Sequence, residues 1–172
     1  RLVMAVIRTI NDLERIGDEA KRVAKMVREE LDGTLDEDIR QEIEHMGGQV
    51  REMLRQVLDA FARTDVRAAV AVARADKKVD VKYHALSRQL ITHMAQDYHN
   101  IPMVLDVLWA ARALERMGDR CQNIAEYVIY LVMGKDVRHS SLEAVLDELA
   151  EREARQVREQ AERERAASAG PE

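Results

Sequence analysis

The chain has 172 residues, a formal net charge of −5 and only 3% aromatic residues. Lys and Arg are interleaved with Asp and Glu along the whole chain, which argues against a nucleic-acid-binding protein because such proteins need a concentrated basic face. No run of about 18 apolar residues occurs, so no membrane-spanning helix is predicted. Two Pro and seven Gly leave few turns, and this composition predicts an all-α protein with long helices.

The first helix is predicted over residues 2–30, where apolar side chains recur at spacings of three and four. Its expected buried stripe consists of Leu2, Val6, Leu13, Ile16, Ala20, Val23 and Val27. The segment 31–36 interrupts the pattern, and a short acidic stretch leads to Gly47 and Gly48. These features predict a linker that ends at residue 46.

Three further helices are predicted over residues 49–62, 66–98 and 102–133, with short turns between them. The last of these has the most regular apolar seam and stops before Gly134. Each helix has one apolar face, which predicts an antiparallel three-helix bundle. A fifth helix is expected from Ser141 onward, charge-balanced and with few apolar residues, and residues 166–172 are predicted to be disordered.

An internal repeat is the most informative motif. The sequence L-E-R-I-G-D at residues 13–18 returns as L-E-R-M-G-D at residues 114–119. In each copy two acids stand four residues apart, which places them on one helix face, where like charges repel by about 0.2 to 0.5 kcal/mol. These pairs are Glu14/Asp18 and Glu115/Asp119. The motif predicts either a cation-binding face or two pairs of ordinary solvated acids.

The glycines of the repeat favour a shared function. Gly17 and Gly118 each lie inside a predicted helix, where glycine costs about 1 kcal/mol relative to alanine. Close approach of another helix or of a ligand would account for a missing side chain. A shared packing role is the alternative.

A third acidic pair, Asp76 and Asp80, lies on the helix predicted to run antiparallel beside the second copy of the motif. Two facing pairs would gather four carboxylates, a set that suits Mg²⁺, Mn²⁺ or iron. His84, one turn beyond Asp80, is a candidate additional ligand. The competing interpretation pairs these aspartates with nearby lysines, which are Lys77, Lys78 and Lys82. The apolar seam of the fourth helix predicts that its own acids lie on the outer surface.

Catalytic motifs are scarce. Glu42 and His45 form the one Glu-x-x-His pair, whereas a ferritin-like di-iron enzyme needs two. The sequence contains no phosphate-binding glycine loop, nucleophile elbow or Cys-x-x-Cys. We therefore predict a protein that is not an enzyme. Trp109, Tyr127 and Tyr130 are expected to pack at the edge of the seam, in preference to forming a recognition platform.

Compartment is indicated by the single cysteine, Cys121. It falls on a predicted core position, so no disulfide is expected and a cytoplasmic location fits. Residue 1 is Arg, and the first helix begins without a capping residue. We expect the natural N-terminus to lie upstream.

Two segments carry a resemblance to the PhoU family. Residues 108–139, L-W-A-A-R-A-L-E-R-M-G-D-R-C-Q-N-I-A-E-Y-V-I-Y-L-V-M-G-K-D-V-R-H, are similar to its last core helix, and residues 1–20 are similar to its third helix. The family consists of two three-helix repeats with an E(D)-x-x-x-D motif. The resemblance implies that residues 1–46 are the last helix of a first repeat with its linker, 47–139 a complete second repeat, and 140–172 a charged C-terminal helix.

The resemblance also implies metal ligands and a regulatory function. The ligands would be Glu14, Asp18, Asp76, Asp80, Glu115 and Asp119, and the metal iron, manganese, magnesium or zinc. The second repeat holds both facing pairs, so Glu115/Asp119 should bind more strongly than Glu14/Asp18. Family members restrain phosphate uptake and the phosphate-starvation response, which implies a homodimeric adaptor between the ATPase subunit of a phosphate ABC transporter and a sensor histidine kinase. The alternative is a structural or protein-interaction bundle without metal.

Overall fold

The computed structural model describes residues 1–29, 36–134 and 141–168. Five α-helices form within these ranges, and the all-α prediction is confirmed. They are α1 (Leu2–Glu29), α2 (Glu37–Arg63), α3 (Val66–Gln96), α4 (Ile101–Met133) and α5 (Leu142–Ser168), with a 3₁₀ turn at Tyr98–Asn100. The chain forms two compact units, residues 1–134 and 135–172. Within the described ranges, every helix is too short or too polar to cross a membrane.

Helices α2, α3 and α4 form the predicted bundle. Between α2 and α3, Thr64 adopts a left-handed backbone conformation (φ 53°), and the Asp65 carboxylate accepts a hydrogen bond from the Ala68 amide at 3.0 Å. This side-chain bond satisfies one of the free amides at the start of α3. The regular seam of α4 is buried as expected, and α4 packs against α1, α2 and α3. Cys121 is fully buried within this core, as predicted.

The predicted linker is wrong over residues 37–46, because α2 begins at Glu37 and continues through Gly47 and Gly48. Asp36 caps the helix by accepting a hydrogen bond from the Asp38 amide at 3.0 Å. Burial of apolar side chains on both sides of the glycines, including Met46 and Val50, offsets the helix-breaking tendency of the pair. The helix break predicted at residues 31–35 lies outside the described residues, and the division into family repeats stays a prediction.

Helix α1 packs against α4 with a face that coincides only in part with the predicted stripe, which contributes the buried Ile16. The buried side chains are Ala5, Thr9, Asp12, Ile16 and Glu19. In contrast, Leu2 and Val27 of the predicted stripe are more than half exposed. Polar side chains therefore occupy much of the α1–α4 interface, and the apolar N-terminal face of α1 is exposed.

The C-terminal unit contains α5. The Ser141 hydroxyl accepts a hydrogen bond from the Ala144 amide at 3.1 Å, which confirms the predicted serine cap. An ion pair between Arg152 and Glu148 at 2.9 Å lies on the helix surface. The helix continues to Ser168, so the predicted disorder begins too early, and residues 169–172 are outside the described part of the chain.

Candidate metal site

Three aspartates meet where α3 packs against α4. Asp76, Asp80 and Asp119 each offer a carboxylate oxygen, and these oxygens all lie within 4.8 Å of one another. Asp76 and Asp80 are one turn apart on α3, and Asp119 comes from the antiparallel α4. The juxtaposition expected from the two facing acidic pairs is therefore present for these three residues.

Gly118 allows the two helices to approach at this point. A Cβ atom at position 118 would lie 2.8 Å from Asp76 Oδ1 and 3.6 Å from Val79 Cγ1. The first distance is too short for a stable contact, so a side chain here would displace the Asp76 carboxylate. This explains the glycine that the motif places immediately before Asp119.

Burial distinguishes two of the carboxylates. Asp76 is only 3% exposed and Glu115 only 8%. Asp76 Oδ1 and Glu115 Oε2 have no hydrogen-bond partner, and Asp76 makes no ion pair with Lys77, Lys78 or Lys82 among the residues that the structure describes. The prediction that the acids of α4 face outward is wrong for Glu115, because α4 is enclosed by three neighbouring helices and has little outer surface.

Burial and neighbouring acids raise the pKa of three carboxyl groups at this site. Burial, followed by the charges of Asp80, Asp119 and Glu115, raises the pKa of Asp76 to about 7 from its ordinary 3.8. Burial also raises the pKa of Glu115, with Asp119 adding to the effect. For Asp119 the causes are again burial and then the charge of Asp80. The protein thus holds three carboxyl groups, those of Asp76, Glu115 and Asp119, in a place that disfavours their charged forms.

These residues fit a hard cation. Carboxylate oxygens are the ligands preferred by Mg²⁺, Mn²⁺ and iron, and a cation would satisfy the buried oxygens of Asp76 and Glu115 that lack hydrogen bonds. It would also remove the mutual repulsion that raises these pKa values. Within the described residues no histidine joins the cluster.

Arg112 also belongs to the site, although the acidic pairs in the sequence did not indicate it. Its Nη1 donates to Glu115 Oε1 at 2.5 Å, and its guanidinium carbon lies 5.4 Å from the centre of the Tyr83 ring. Arg112 precedes Glu115 by three residues on α4, a spacing at which helix side chains meet. That spacing was a usable signal in the sequence.

Glu14 and Asp18, the acids of the first motif copy, have a different environment from the clustered aspartates. Both are exposed on α1. A Cβ at Gly17 would have no atom within 4 Å, whereas one at Gly118 would clash. Although the two copies are nearly identical in sequence, only the glycine of the second copy lies against a partner helix in the described residues.

The α1–α4 interface contains a second polar network, also missed from the sequence. Asp12 is buried and accepts hydrogen bonds from Arg120 at 3.2 Å and from the Tyr127 hydroxyl at 2.9 Å. Burial and the bond to Asp12 raise the pKa of Tyr127 to about 12. Two turns along α1, Glu19 pairs with Arg116 at 3.3 Å. The spacing of seven between the two buried acids marks one helix face.

Other predicted residues take no part in the site. Glu42 and His45 are exposed on α2, and His84 is exposed on α3, near enough to Glu115 to affect its pKa. Trp109 is 62% exposed, so its predicted packing role is wrong, because its position on α4 lies outside the contacts with the neighbouring helices. Burial raises the pKa of the Cys121 thiol to about 12, which makes it an unreactive core residue.

Comparison with known proteins identifies similar chains. The PhoU domain family matches residues 43–128. The phosphate-specific transport system accessory protein PhoU of Serratia marcescens is 47% identical over 84% of this chain and 59% of its own length. The protein of the same name from Escherichia coli (strain K12) is 46% identical over 81% of this chain and 57% of its own. The chain thus spans about three fifths of the length of these relatives.

Two solved structures have the same fold as most of this chain. The crystal structure of PhoU from Pseudomonas aeruginosa superposes with a TM-score of 0.73 and 45% identity, covering 78% of this chain and 65% of that one. The crystal structure of the phosphate transport system regulatory protein PhoU from Streptococcus pneumoniae gives a TM-score of 0.71 at 32% identity, covering 78% and 63%. The matched PhoU domain covers half of the chain and includes the three clustered aspartates. The chain therefore belongs to the PhoU family.

Proposed function

We propose that this chain is a metal-binding regulator of phosphate transport. A divalent or trivalent ion would bind to Asp76, Asp80 and Asp119, with Glu115 as a fourth ligand. The observation that carries this proposal is the pair of buried carboxylate oxygens without hydrogen bonds, on Asp76 and Glu115. Burying a charged carboxylate whose oxygens are not all paired costs several kcal/mol in general, and a bound cation would offset that cost.

The ligand set favours hard cations. All four candidate ligands are carboxylates, so magnesium, manganese and iron suit the site better than zinc, which prefers nitrogen and sulfur ligands. Glu14 and Asp18 belong to the proposal as a weaker second site. Their side chains are exposed and no facing acids accompany them in the described residues.

The regulatory part of the proposal rests on the relatives' names, which describe accessory proteins of phosphate transport. We propose that this chain, too, acts without catalysis as a negative regulator of phosphate uptake and of the phosphate-starvation response. Its partners would be the ATPase subunit of a phosphate ABC transporter and a sensor histidine kinase. A homodimer in the cytoplasm is part of the same proposal, and light scattering of the purified chain would measure its oligomeric state.

The first experiment measures metal binding. Chelator-treated protein is titrated with Mn²⁺ by calorimetry, using the wild type, Asp119→Asn and Asp18→Asn. We expect Asp119→Asn to weaken binding at least tenfold, because it removes one of three clustered ligands, and Asp18→Asn to change it less than twofold. Equal loss in the two variants would contradict the assignment of the site to α3 and α4.

The second experiment tests the partners. The chain is used as bait on solubilised membranes from phosphate-replete cells, and the transporter ATPase and the sensor kinase are scored by mass spectrometry. A double variant, Glu115→Gln with Asp119→Asn, is run in parallel. Capture by the wild type and loss in the variant would support a regulator whose metal site contributes to recognition. If wild type and variant bind no metal and capture neither partner, the chain is a helical bundle with another role.

A further inference from the structure

We infer that Arg112 competes with the metal for Glu115. Its guanidinium holds the Glu115 carboxylate in the metal-free protein and releases it when a cation binds. The inference rests on the proposed metal-binding function and describes how the metal affinity of that same site is adjusted. Arg112 would act through Glu115 and would not itself touch the metal.

The arrangement of the four carboxylates is the first argument. Asp76, Asp80 and Asp119 already converge within 4.8 Å, but Glu115 is not part of that group. Instead, one oxygen of Glu115 is held by Arg112, while the other is buried without a partner. Among the described residues, Glu115 is the one carboxylate of the four that forms an ion pair. Three ligands are thus ready for a cation, and the fourth is bound to a guanidinium.

Tyr83 supplies the second argument, because it gives Arg112 another favourable contact. The guanidinium carbon lies 5.4 Å from the centre of the Tyr83 ring, within the range at which a cation is attracted to an aromatic face. The Arg112 side chain is 47% exposed. It can therefore leave Glu115 for water and the ring, so release of Glu115 does not strand a buried charge.

The repeat supplies the third argument. The motif copies align with an offset of 101 residues, and the position equivalent to Arg112 in the first copy is Asn11. Glu14, the counterpart of Glu115, is exposed and needs no counter-ion. An arginine three residues before the glutamate of the motif is therefore not required by the helix that both copies share. It accompanies the copy whose glutamate is buried.

Competition predicts that removing the arginine tightens metal binding. Metal binding would no longer require an ion pair to break, and Glu115 would be free to ligate. For an ion pair whose arginine is half-exposed and whose glutamate is buried, we expect Arg112→Gln to lower the Mn²⁺ dissociation constant by about fivefold. Arg112→Lys, which keeps the charge but not the planar guanidinium, should lie between the variant and the wild type.

Arg116→Gln is the matched control. Arg116 lies one turn further along the same helix, its side chain is 46% exposed, and it pairs with Glu19 and not with the cluster. This variant loses the same charge near Asp119, which measures the general electrostatic effect. Each protein is first checked by circular dichroism for an unchanged helical spectrum and then titrated with Mn²⁺ after chelator treatment.

A decrease in the dissociation constant for Arg112→Gln that clearly exceeds that for Arg116→Gln supports the inference. Equal changes in the two variants would overturn it, because the effect would then be one of overall charge. Weaker binding by Arg112→Gln would also overturn it and would make Arg112 a positioning residue for Glu115. If the wild type binds no Mn²⁺, the proposed metal site fails, and this result is distinct from wild-type binding that Arg112→Gln leaves unchanged.

Discussion

Replacing Asp76 with asparagine should stabilise the metal-free protein at alkaline pH. Burial and four neighbouring acids raise the pKa of Asp76 from 3.8 to about 7. The folded protein therefore binds more protons than the unfolded chain between about pH 4 and pH 7, and its stability falls as the pH rises through that window. An asparagine has no charge to lose and avoids this penalty.

The shift in pKa sets the size of the effect. Three pH units correspond to about 4 kcal/mol, and solvent access through the exposed Asp119 and half-buried Asp80 reduces this to about 2 kcal/mol. Urea unfolding with chelator present should show Asp76→Asn and wild type equally stable at pH 4. At pH 8 the variant should be more stable by about 2 kcal/mol.

Added Mn²⁺ should reverse the order at pH 8, because a ligand stabilises only the protein that binds it. Asp18→Asn is the control, since Asp18 is exposed on α1 and its replacement should change stability by less than about 0.5 kcal/mol at either pH. If Asp76→Asn gains no stability between pH 4 and pH 8, the buried carboxylate carries no penalty. The physical reason for a cation at this site would then be lost.

Three further predictions concern the close approach of α3 and α4 and the polar contacts between α1 and α4. Gly118→Ala should weaken Mn²⁺ binding at least tenfold in calorimetry, because its Cβ would displace Asp76. Gly17→Ala should leave binding unchanged and raise the free energy of unfolding by up to about 1 kcal/mol. Equal effects of the two variants on binding would contradict the placement of the metal site beside Gly118. Asp12→Ala should lower the free energy of unfolding by about 2–4 kcal/mol at pH 7, as it leaves Arg120 and Tyr127 without their buried partner. Tyr127→Phe should cost only about 1 kcal/mol in the same urea titration, and a loss as large as that for Asp12→Ala would show that the hydroxyl matters more than the ion pair.

The sequence was sufficient to predict helices α3 and α4 and the meeting of Asp76/Asp80 with Asp119. Apolar periodicity identified α3 and α4, short turns made them antiparallel neighbours, and acidic pairs at helical spacing then had to meet. It could not predict how deeply Glu115 is buried. The seam of α4 specifies one face, whereas its burial depends on three neighbouring helices, two of which contact it from positions remote in sequence.

Helix α1 shows why an apolar stripe alone can mislead. Amphipathicity predicts that the apolar face of a helix is buried, yet Leu2 and Val27 of the predicted stripe are exposed and Asp12 is buried. The buried acids have basic partners about 100 residues away on α4, Arg116 and Arg120. A pattern within α1 carries no information about those distant partners, so the interface could be recognised only in three dimensions.

The second motif copy performs two tasks on one stretch of α4. Its acids, Glu115 and Asp119, face α3, whereas the arginine that follows each of them, Arg116 and Arg120, pairs with a buried acid of α1. A helix rotates by about 100° per residue, so adjacent acid and arginine side chains necessarily point to different neighbours. A change in the position of α4 on metal binding would therefore act directly on the ion pairs that hold α1. In the first copy Glu14, Arg15 and Asp18 are all exposed, so that copy makes neither set of contacts in the described residues. The physical requirement for the E-R-x-G-D-R order thus lies in α4, where one turn of helix joins a carboxylate cluster to an ion-paired interface.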